Sequence, residues 1–331
     1  MKKKAFITGI AGQDGSYLAE YLLAKNYEVH GIVRRNSITE HQRNRLSHLG
    51  EKIELSYGDL IDKTSIDTVL KILKPDEIYN LGSQSHVKVS FEIPYFTSQT
   101  NAIGTLNLLE SIRVNTPKSK FYQASSSEMF GRSIEEDGFQ RETTKFEPTS
   151  PYGCAKVFAY NLTKHYRNAY KLFAVNGILF NHESPRRGSN FVTSKVVKTA
   201  VRIKKGLEDK LVLGNLDSSR DWGHAKDYIK AMYLMLNHSV PDDYVVASGE
   251  TRTVRQLCEY VFMKLDLDLG KFLKQSKKFM RPEELPFLKG DSSKIRKLLK
   301  WEPDYTFEML VDEMINFWIK NYENDNLNYE E

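Results

Sequence analysis

Two rhythms of apolar residues run through this chain. Short continuous apolar runs alternate with longer stretches in which apolar residues return every three or four positions, so buried strands alternate with amphipathic helices. The opening K-A-F-I-T-G-I-A-G-Q-D-G-S-Y-L-A-E-Y-L-L predicts a strand, a glycine-rich turn and a helix. A second strand follows at Y-E-V-H-G-I-V, a third ends in Y-G-D-L, and residues 63–73 form a helix. D-E-I-Y-N-L-G is a strand ending at Gly82, S-Q-S-H-V-K-V-S-F-E a loop, and residues 98–113 a further helix. The apolar run before Ser125 is a buried strand, L-F-A-V-N-G-I-L-F another, and N-F-V-T-S-K-V opens a helix. This alternation implies a parallel sheet with helices on both faces.

Beyond that helix the alternation becomes irregular, apart from an amphipathic helix at 307–322. The expectation is an α/β chain: a Rossmann-type doubly wound parallel sheet with a smaller, discontinuous C-terminal substrate lobe. The sheet domain takes 1–180 and part of 215–255, the lobe about 181–214 and 256–325, and 326–331 a frayed acidic tail. The polar segment 39–48 reads as a helix or ordered loop.

The stretch from Phe121 to Lys156 carries candidate chemistry. F-Y-Q-A-S-S-S-E-M-F-G delivers Ser126 and Glu128 at the C-terminal end of a strand, where open α/β sheets bind ligands. S-P-Y-G-C-A-K then sets Tyr152 and Lys156 four apart on one helix face. A cation beneath the phenol favours the phenolate, so Tyr152 is expected to act as a base near neutrality. Y-x-x-x-K also occurs on ordinary exposed helices, so the rest of the chain must decide.

The glycines Gly9, Gly12 and Gly15 lie between a strand and a helix, where small residues let a backbone approach a pyrophosphate. About twenty residues on, the second strand runs into Arg34 and Arg35, with no acidic residue to bind a ribose 2′-hydroxyl; arginine suits the 2′-phosphate of NADP. Asp59 and Leu60 fall where an adenine edge would lie.

With 331 residues, 40% hydrophobic and 27% charged, the chain has the composition of a globular protein with a proper core. The formal charge of +5 comes without a basic block, so no nucleic-acid face is expected. Two cysteines exclude a disulfide framework, and no metal cluster is expected. The lysines at 2–4 resemble a signal-peptide start, but the following run is cut by Gly9, Gly12, Gln13 and Asp14, so no export signal or membrane span is expected and the location is read as cytoplasmic.

The glycine turn, the arginine pair, Y-G-D-L, N-L-G-S-Q-S-H-V-K-V-S-F-E, Y-Q-A-S-S-S-E, S-P-Y-G-C-A-K, N-H-E-S-P-R-R-G, L-G-N-L-D-S-S-R-D-W-G-H-A-K-D-Y and R-P-E-E occur in this order. Together they resemble the GDP-mannose 4,6-dehydratases, which are extended short-chain dehydrogenase/reductases, over nearly the whole chain. The resemblance implies Tyr152 as base, Lys156 as its partner and a ribose ligand, Glu128 as a catalytic carboxylate, and Ser126 where the family has an acid threonine. It implies NADP contacts at Gly9, Gly12, Gln13, Asp14, Gly15, Arg34, Arg35, Asp59, Leu60, Leu81, Ser85, Tyr152, Lys156, His182 and Arg187. For a GDP-sugar it implies Ser85, Asn181, Val192, Lys195, Arg220, Arg281 and Glu284, and it implies a homodimer or homotetramer with the arginine-bearing loop near a neighbouring subunit.

Three departures touch the sugar end. Ser126 replaces the usual threonine; Gly153 and Cys154 replace an alanine–valine pair, which should change packing under the sugar; Lys88 and Phe96 stand where the family has a small residue and a tyrosine. The implied reaction oxidises the sugar at C4, lets Glu128 take the acidified C5 proton, expels the C6 hydroxyl with a proton from Glu128 or Ser126, and returns the hydride to C6. GDP-mannose is the favoured substrate, with GDP-N-acetylglucosamine and a GDP-heptose as alternatives. A nucleotide-sugar 4-epimerase or 4-reductase and a non-catalytic cofactor-binding scaffold are the rivals; Glu128 argues against the first, which needs no carboxylate to take a carbon-bound proton, and the retention of Tyr152, Lys156 and Glu128 together argues against the second.

Overall fold

The computed structural model describes residues 2–35 and 40–323, with backbone alone at 40–44. The first half unfolds in the expected alternation: β1 (Lys4–Thr8), α1 (Gln13–Ala24), β2 (Glu28–Val33), a 3₁₀ segment at Glu40–Lys52, β3 (Ile53–Tyr57), α2 (Lys63–Leu73) and β4 (Glu77–Asn80). The predicted bounds of α2 hold because Asp62 caps it, accepting from the N–H groups of Thr64 and Ser65. The expectation for 39–48 is met from residue 40 onward; Thr39 lies outside the described residues.

The segment expected as a loop after β4 instead contains α3 (Val87–Glu92), because the His86 ring accepts from the Val89 N–H and supplies a cap that no pattern of apolar residues reveals. The helix expected at 98–113 is longer and broken: α4 (Pro94–Ser98), a π-helical turn at Gln99–Ile103, and α5 (Gly104–Asn115). Next come β5 (Lys120–Ser126), α6 (Pro151–Tyr170) and β6 (Ala174–Leu179). Pro151 at the first turn and the Ser150 hydroxyl, accepting from Gly153 N–H, set the start of α6 and hence the heights of Tyr152 and Lys156.

After β6 the chain forms β7 (Asn181–Glu183), α7 (Val192–Lys204), β8 (Leu211–Leu213), β9 (Ser219–Arg220), β10 (Trp222–His224), α8 (Ala225–Asn237) and β11 (Asp243–Val246). It ends with β12 (Arg252–Thr253), α9 (Val254–Lys264), α10 (Leu269–Phe272), β13 (Leu273–Gln275), α11 (Ser293–Leu299) and α12 (Phe307–Glu323). The tail expected at 326–331 lies outside the described residues.

Seven parallel strands form one sheet in the order β11-β6-β5-β4-β1-β2-β3. The direction of winding reverses between β1 and β4, and in open α/β sheets ligands bind at the carboxyl ends beside such a switch point. One face packs α1 and α8 through Leu18, Leu22, Ile229 and Met232; the other packs α2 and α5 through Ile66, Leu70, Leu108 and Ile112. A separate core holds the lobe together, where Val197 and Val201 of α7, Leu257 and Val261 of α9, and Met314 and Trp318 of α12 are buried around Trp222. Three two-stranded pairs, β7–β10, β9–β12 and β8–β13, lie outside the main sheet.

Candidate active site

The carboxyl ends of β4, β5 and β6, the start of α1 and residues of the C-terminal half line a cavity of about 620 Å³. All four catalytic candidates, Ser126, Glu128, Tyr152 and Lys156, face it. So do all the residues expected at the sugar nucleotide: Ser85, Asn181, Val192, Lys195, Arg220, Arg281 and Glu284. From the cofactor set Asp14, Leu81, His182 and Arg187 share this lining, whereas Gly9, Gly12, Gln13, Gly15, Arg34, Arg35, Asp59 and Leu60 lie outside it. Asn181 and His182 belong to the short strand β7.

Lys156 lies below Tyr152 as the helix spacing requires, but not as a partner of the phenol. Its Nζ is 5.6 Å from the centre of the Tyr152 ring and donates to the Ala124 carbonyl at 2.8 Å. Burial raises the Tyr152 phenol to about 12, against the pull of the Ser126 hydroxyl hydrogen-bonded to it, and burial lowers the Lys156 ammonium to about 8. The expectation that Lys156 alone readies Tyr152 for work near neutrality is therefore corrected: desolvation outweighs the cation because both groups sit in the same dry wall.

Ser126 joins the two reacting ends. Its hydroxyl accepts the N–H of Glu128 at 3.2 Å and meets the Tyr152 hydroxyl. Glu128 follows on a 3₁₀ turn, Ser127–Met129, which swings its side chain off the strand and into the cavity wall. One carboxylate oxygen pairs with the Arg281 guanidinium at 3.2 Å; the other is buried without a hydrogen-bond partner among the described residues. An unpaired buried oxygen is costly and marks a group held for chemistry.

Of the departures noted in the sequence, Gly153 has no room for a side chain, since a Cβ there would stand 2.8 Å from the Glu128 carbonyl oxygen. Cys154, by contrast, is exposed, so it does not change the packing under a bound sugar. Lys88 lines the cavity; Phe96 does not.

At the other end the glycine turn is drawn tight by backbone. Gly9 has φ +70°, and a Cβ there would lie 2.8 Å from Gly82 N; one on Gly15 would lie 2.3 Å from the Gly9 carbonyl. Gly12 caps α1 without a side chain, leaving the first-turn N–H groups free of any side-chain acceptor, which suits a pyrophosphate at that helix end. Arg34 and Arg35 stand exposed beyond β2, with the Arg35 guanidinium 5.9 Å over the Tyr57 ring. This donor set fits NADP: an open helix N-terminus for the pyrophosphate, and two arginines where an acid would be needed for NAD. Leu60 is buried in the core beneath Gly104, so any contact it makes is through its backbone.

Asp14, in the first turn of α1, ties that turn to β7. Its carboxylate lies 2.7 Å from His182 Nε2, while Gln13 donates to the His182 carbonyl and accepts from the Ser184 hydroxyl. Burial opposes charge on both partners, but their attraction prevails: Asp14 is held below and His182 above its usual range. The ring of His182 stacks on Tyr228 at 4.4 Å. The glycine turn and β7 are thus one unit.

Glu183 and Phe279 are among the lining residues that escaped the sequence reading. Glu183 is buried and pairs with Arg187 at 2.9 Å while accepting the Thr193 hydroxyl. Phe279 is gripped between Lys195, 3.8 Å from its ring centre, and Lys88 at 5.6 Å, where Lys88 also donates to the Lys278 carbonyl. Nothing in K-Q-S-K-K-F-M-R announces Phe279; only the folding of this segment over the cavity identifies it.

A family model described as GDP-mannose 4,6 dehydratase matches residues 6–314. The GDP-mannose 4,6 dehydratase of Cricetulus griseus is 48% identical over 341 residues, covering 95% of this chain and 91% of that protein. GDP-mannose 4,6 dehydratase 1 of Arabidopsis thaliana is 49% identical over 327 residues, covering 95% and 89%. Among solved structures, the dTDP-glucose 4,6-dehydratase of Bacillus anthracis in complex with NAD superposes with a TM-score of 0.84 at 23% identity, over 97% of this chain and 98% of that one, which bears on the fold.

Proposed function

The chain belongs to the GDP-mannose 4,6-dehydratase family, and from that premise we propose how its site removes water from GDP-mannose. The Tyr152 phenolate takes the proton of the sugar 4-hydroxyl, with Ser126 beside it and Lys156 beneath. NADP held at the glycine turn would supply the hydride acceptor for C4 and the donor for C6, so that, with C5 regaining a proton, no net reductant would be consumed. The ketone at C4 acidifies the C5 proton, which passes to Glu128. The C6 hydroxyl leaves as water on a proton from Glu128 or Ser126, the two donors at that end. Each such acid–base group contributes on the order of 10²–10⁴ in rate. Arg220, Arg281, Lys195, Glu284, Asn181, Val192 and Ser85 are assigned to the nucleotide sugar, and the glycine turn with Asp14, Arg34, Arg35, Asp59, Leu60, Leu81, His182 and Arg187 to the cofactor. Residues 1–180 with part of 215–255 serve the cofactor; 181–214 and 256–325 serve the GDP-sugar.

The observation that carries this reading is that Glu128 and Tyr152 face one cavity together with Ser126, whose hydroxyl accepts the Glu128 N–H. An epimerase or reductase needs only the phenol side of that arrangement; the carboxylate is idle unless a C–H bond breaks. Mass spectrometry of the purified protein incubated separately with GDP-mannose, GDP-N-acetylglucosamine and a GDP-heptose tests it. Loss of one water from GDP-mannose is expected; loss from another of the three, or from none, would overturn the assignment.

The assembly is proposed as a homodimer or homotetramer. Tyr95 and Phe158, on the contacting helices α4 and α6, are 77% and 42% exposed and offer an apolar face for a second copy. Sedimentation as a monomer at micromolar concentration would contradict this. No helix among the described residues is long and apolar enough to cross a membrane. A cytoplasmic location is part of the same proposal and accords with two cysteines that form no disulfide.

A further inference from the structure

We propose that Arg281 restrains Glu128 until the diphosphate of the substrate takes over its guanidinium, so that seating of the nucleotide sugar frees the carboxylate that must act on the sugar. This rests on the function proposed above. In the ligand-free site Arg281 Nη1 lies 3.2 Å from Glu128 Oε1. A carboxylate so engaged has a lone pair occupied and its charge offset by the guanidinium.

The other cations facing the cavity are committed elsewhere. Arg220 is buried and donates through Nη1 to the carbonyls of Ser219 and Leu285; Lys195 donates to the Val212 carbonyl; Arg187 pairs with Glu183. Arg281 differs in that its ionic partner is the proposed C5 base. Its backbone is anchored, since Arg281 N–H donates to Glu284 at 2.9 Å, Ser276 N–H to the Leu213 carbonyl at 2.8 Å, and Lys88 to the Lys278 carbonyl. The side chain can therefore exchange partners while the segment stays in place. A diphosphate offers two charges and several acceptor oxygens against one carboxylate, and phosphate matches the guanidinium fork. Arg281 is thus a positioning residue that acts through Glu128.

The test is a thermodynamic cycle read by calorimetric titration of GDP, which carries no reacting sugar, into NADP-loaded protein. Glu128→Gln removes the competing charge and should tighten GDP by roughly 3- to 10-fold, whereas Arg281→Gln should weaken it by about tenfold or more. In the Arg281→Gln background, Glu128→Gln should change GDP affinity by less than about twofold, because the restraint is already gone. Arg281→Lys keeps the charge and should restore part of both effects, which a merely structural role would not do. Equal tightening by Glu128→Gln in both backgrounds would mean plain like-charge repulsion and overturn the proposal, as would no tightening in the wild-type background. Failure of the dehydratase reading shows separately, as wild-type protein that removes no water from any GDP-sugar, and leaves the GDP cycle interpretable.

Discussion

Lys156 and Tyr152 are one helical turn apart, yet the ammonium donates to the Ala124 carbonyl and reaches the phenol only through its ring, 5.6 Å from the centre. In the free protein the pair is therefore a neutral phenol above a weakened ammonium, not a ready phenolate. Catalysis requires the phenol's ionisation to come down from about 12 when the site is loaded, and the Ser126 hydroxyl, followed by the Arg187 charge, already pulls that way.

Tyr152→Phe should lower kcat by about 10²–10⁴, since a positioned base is lost. Ser126→Ala gives the sharper test. A base acts only when deprotonated, so activity rises with pH through its pKa; removing a hydrogen bond that lowers that pKa should move the rise to higher pH. Rate measurements for both proteins from about pH 6 to 10 check this. An unmoved profile, or one displaced to lower pH, contradicts the role given to Ser126.

Glu128→Gln is expected to bind NADP as tightly as wild type while yielding no dehydrated product, because the amide cannot take the C5 proton. Cofactor titration by fluorescence and product analysis by mass spectrometry read the two halves separately. Normal turnover by this variant would remove Glu128 from the reaction.

Lys156 makes a prediction about stability. Burial lowers its pKa from 10.5 to about 8, so between those values the unfolded chain holds more protons than the folded one and stability rises with pH. The gap corresponds to about 3 kcal/mol of burial cost, present in full below pH 8 and relieved by pH 10.5. In urea unfolding of cofactor-free protein from pH 8 to 10, wild type should gain stability relative to Lys156→Met. Parallel curves for the two proteins would show that the ammonium is not desolvated as described.

Arg35→Asp should weaken NADP and strengthen NAD relative to it, because the carboxylate repels a 2′-phosphate and accepts a ribose 2′-hydroxyl. A shift in relative affinity of about tenfold or more is expected, on the scale of about 1.4 kcal/mol per tenfold. Cofactor titrations with both dinucleotides decide it, and an unchanged preference would take Arg35 out of 2′-phosphate recognition.

Much of this was legible without coordinates wherever a local rule governs. Asp62 before Lys63–Leu73 is a cap at its proper offset, and the β–α rhythm dictated a parallel sheet whose carboxyl ends hold the candidate residues. The short helix Val87–Glu92 was illegible, because it depends on a histidine acting as a cap in a polar run. Phe279 and Glu183 were illegible for another reason: their significance comes from lysines far away in the chain, or from a charge pair across a turn, and no periodicity encodes either.

By itself the sequence determined the alternation of elements, the glycine turn, and the four-residue offset that puts a tyrosine and a lysine on one helix face, because each is set by neighbours within a few residues. Only the tertiary structure decided where the lysine's proton donor points, how far burial moves both pKa values, and that Arg281 and Glu128, 153 positions apart, meet at 3.2 Å. Those depend on desolvation and on long-range packing, which the order of residues along a chain does not spell out.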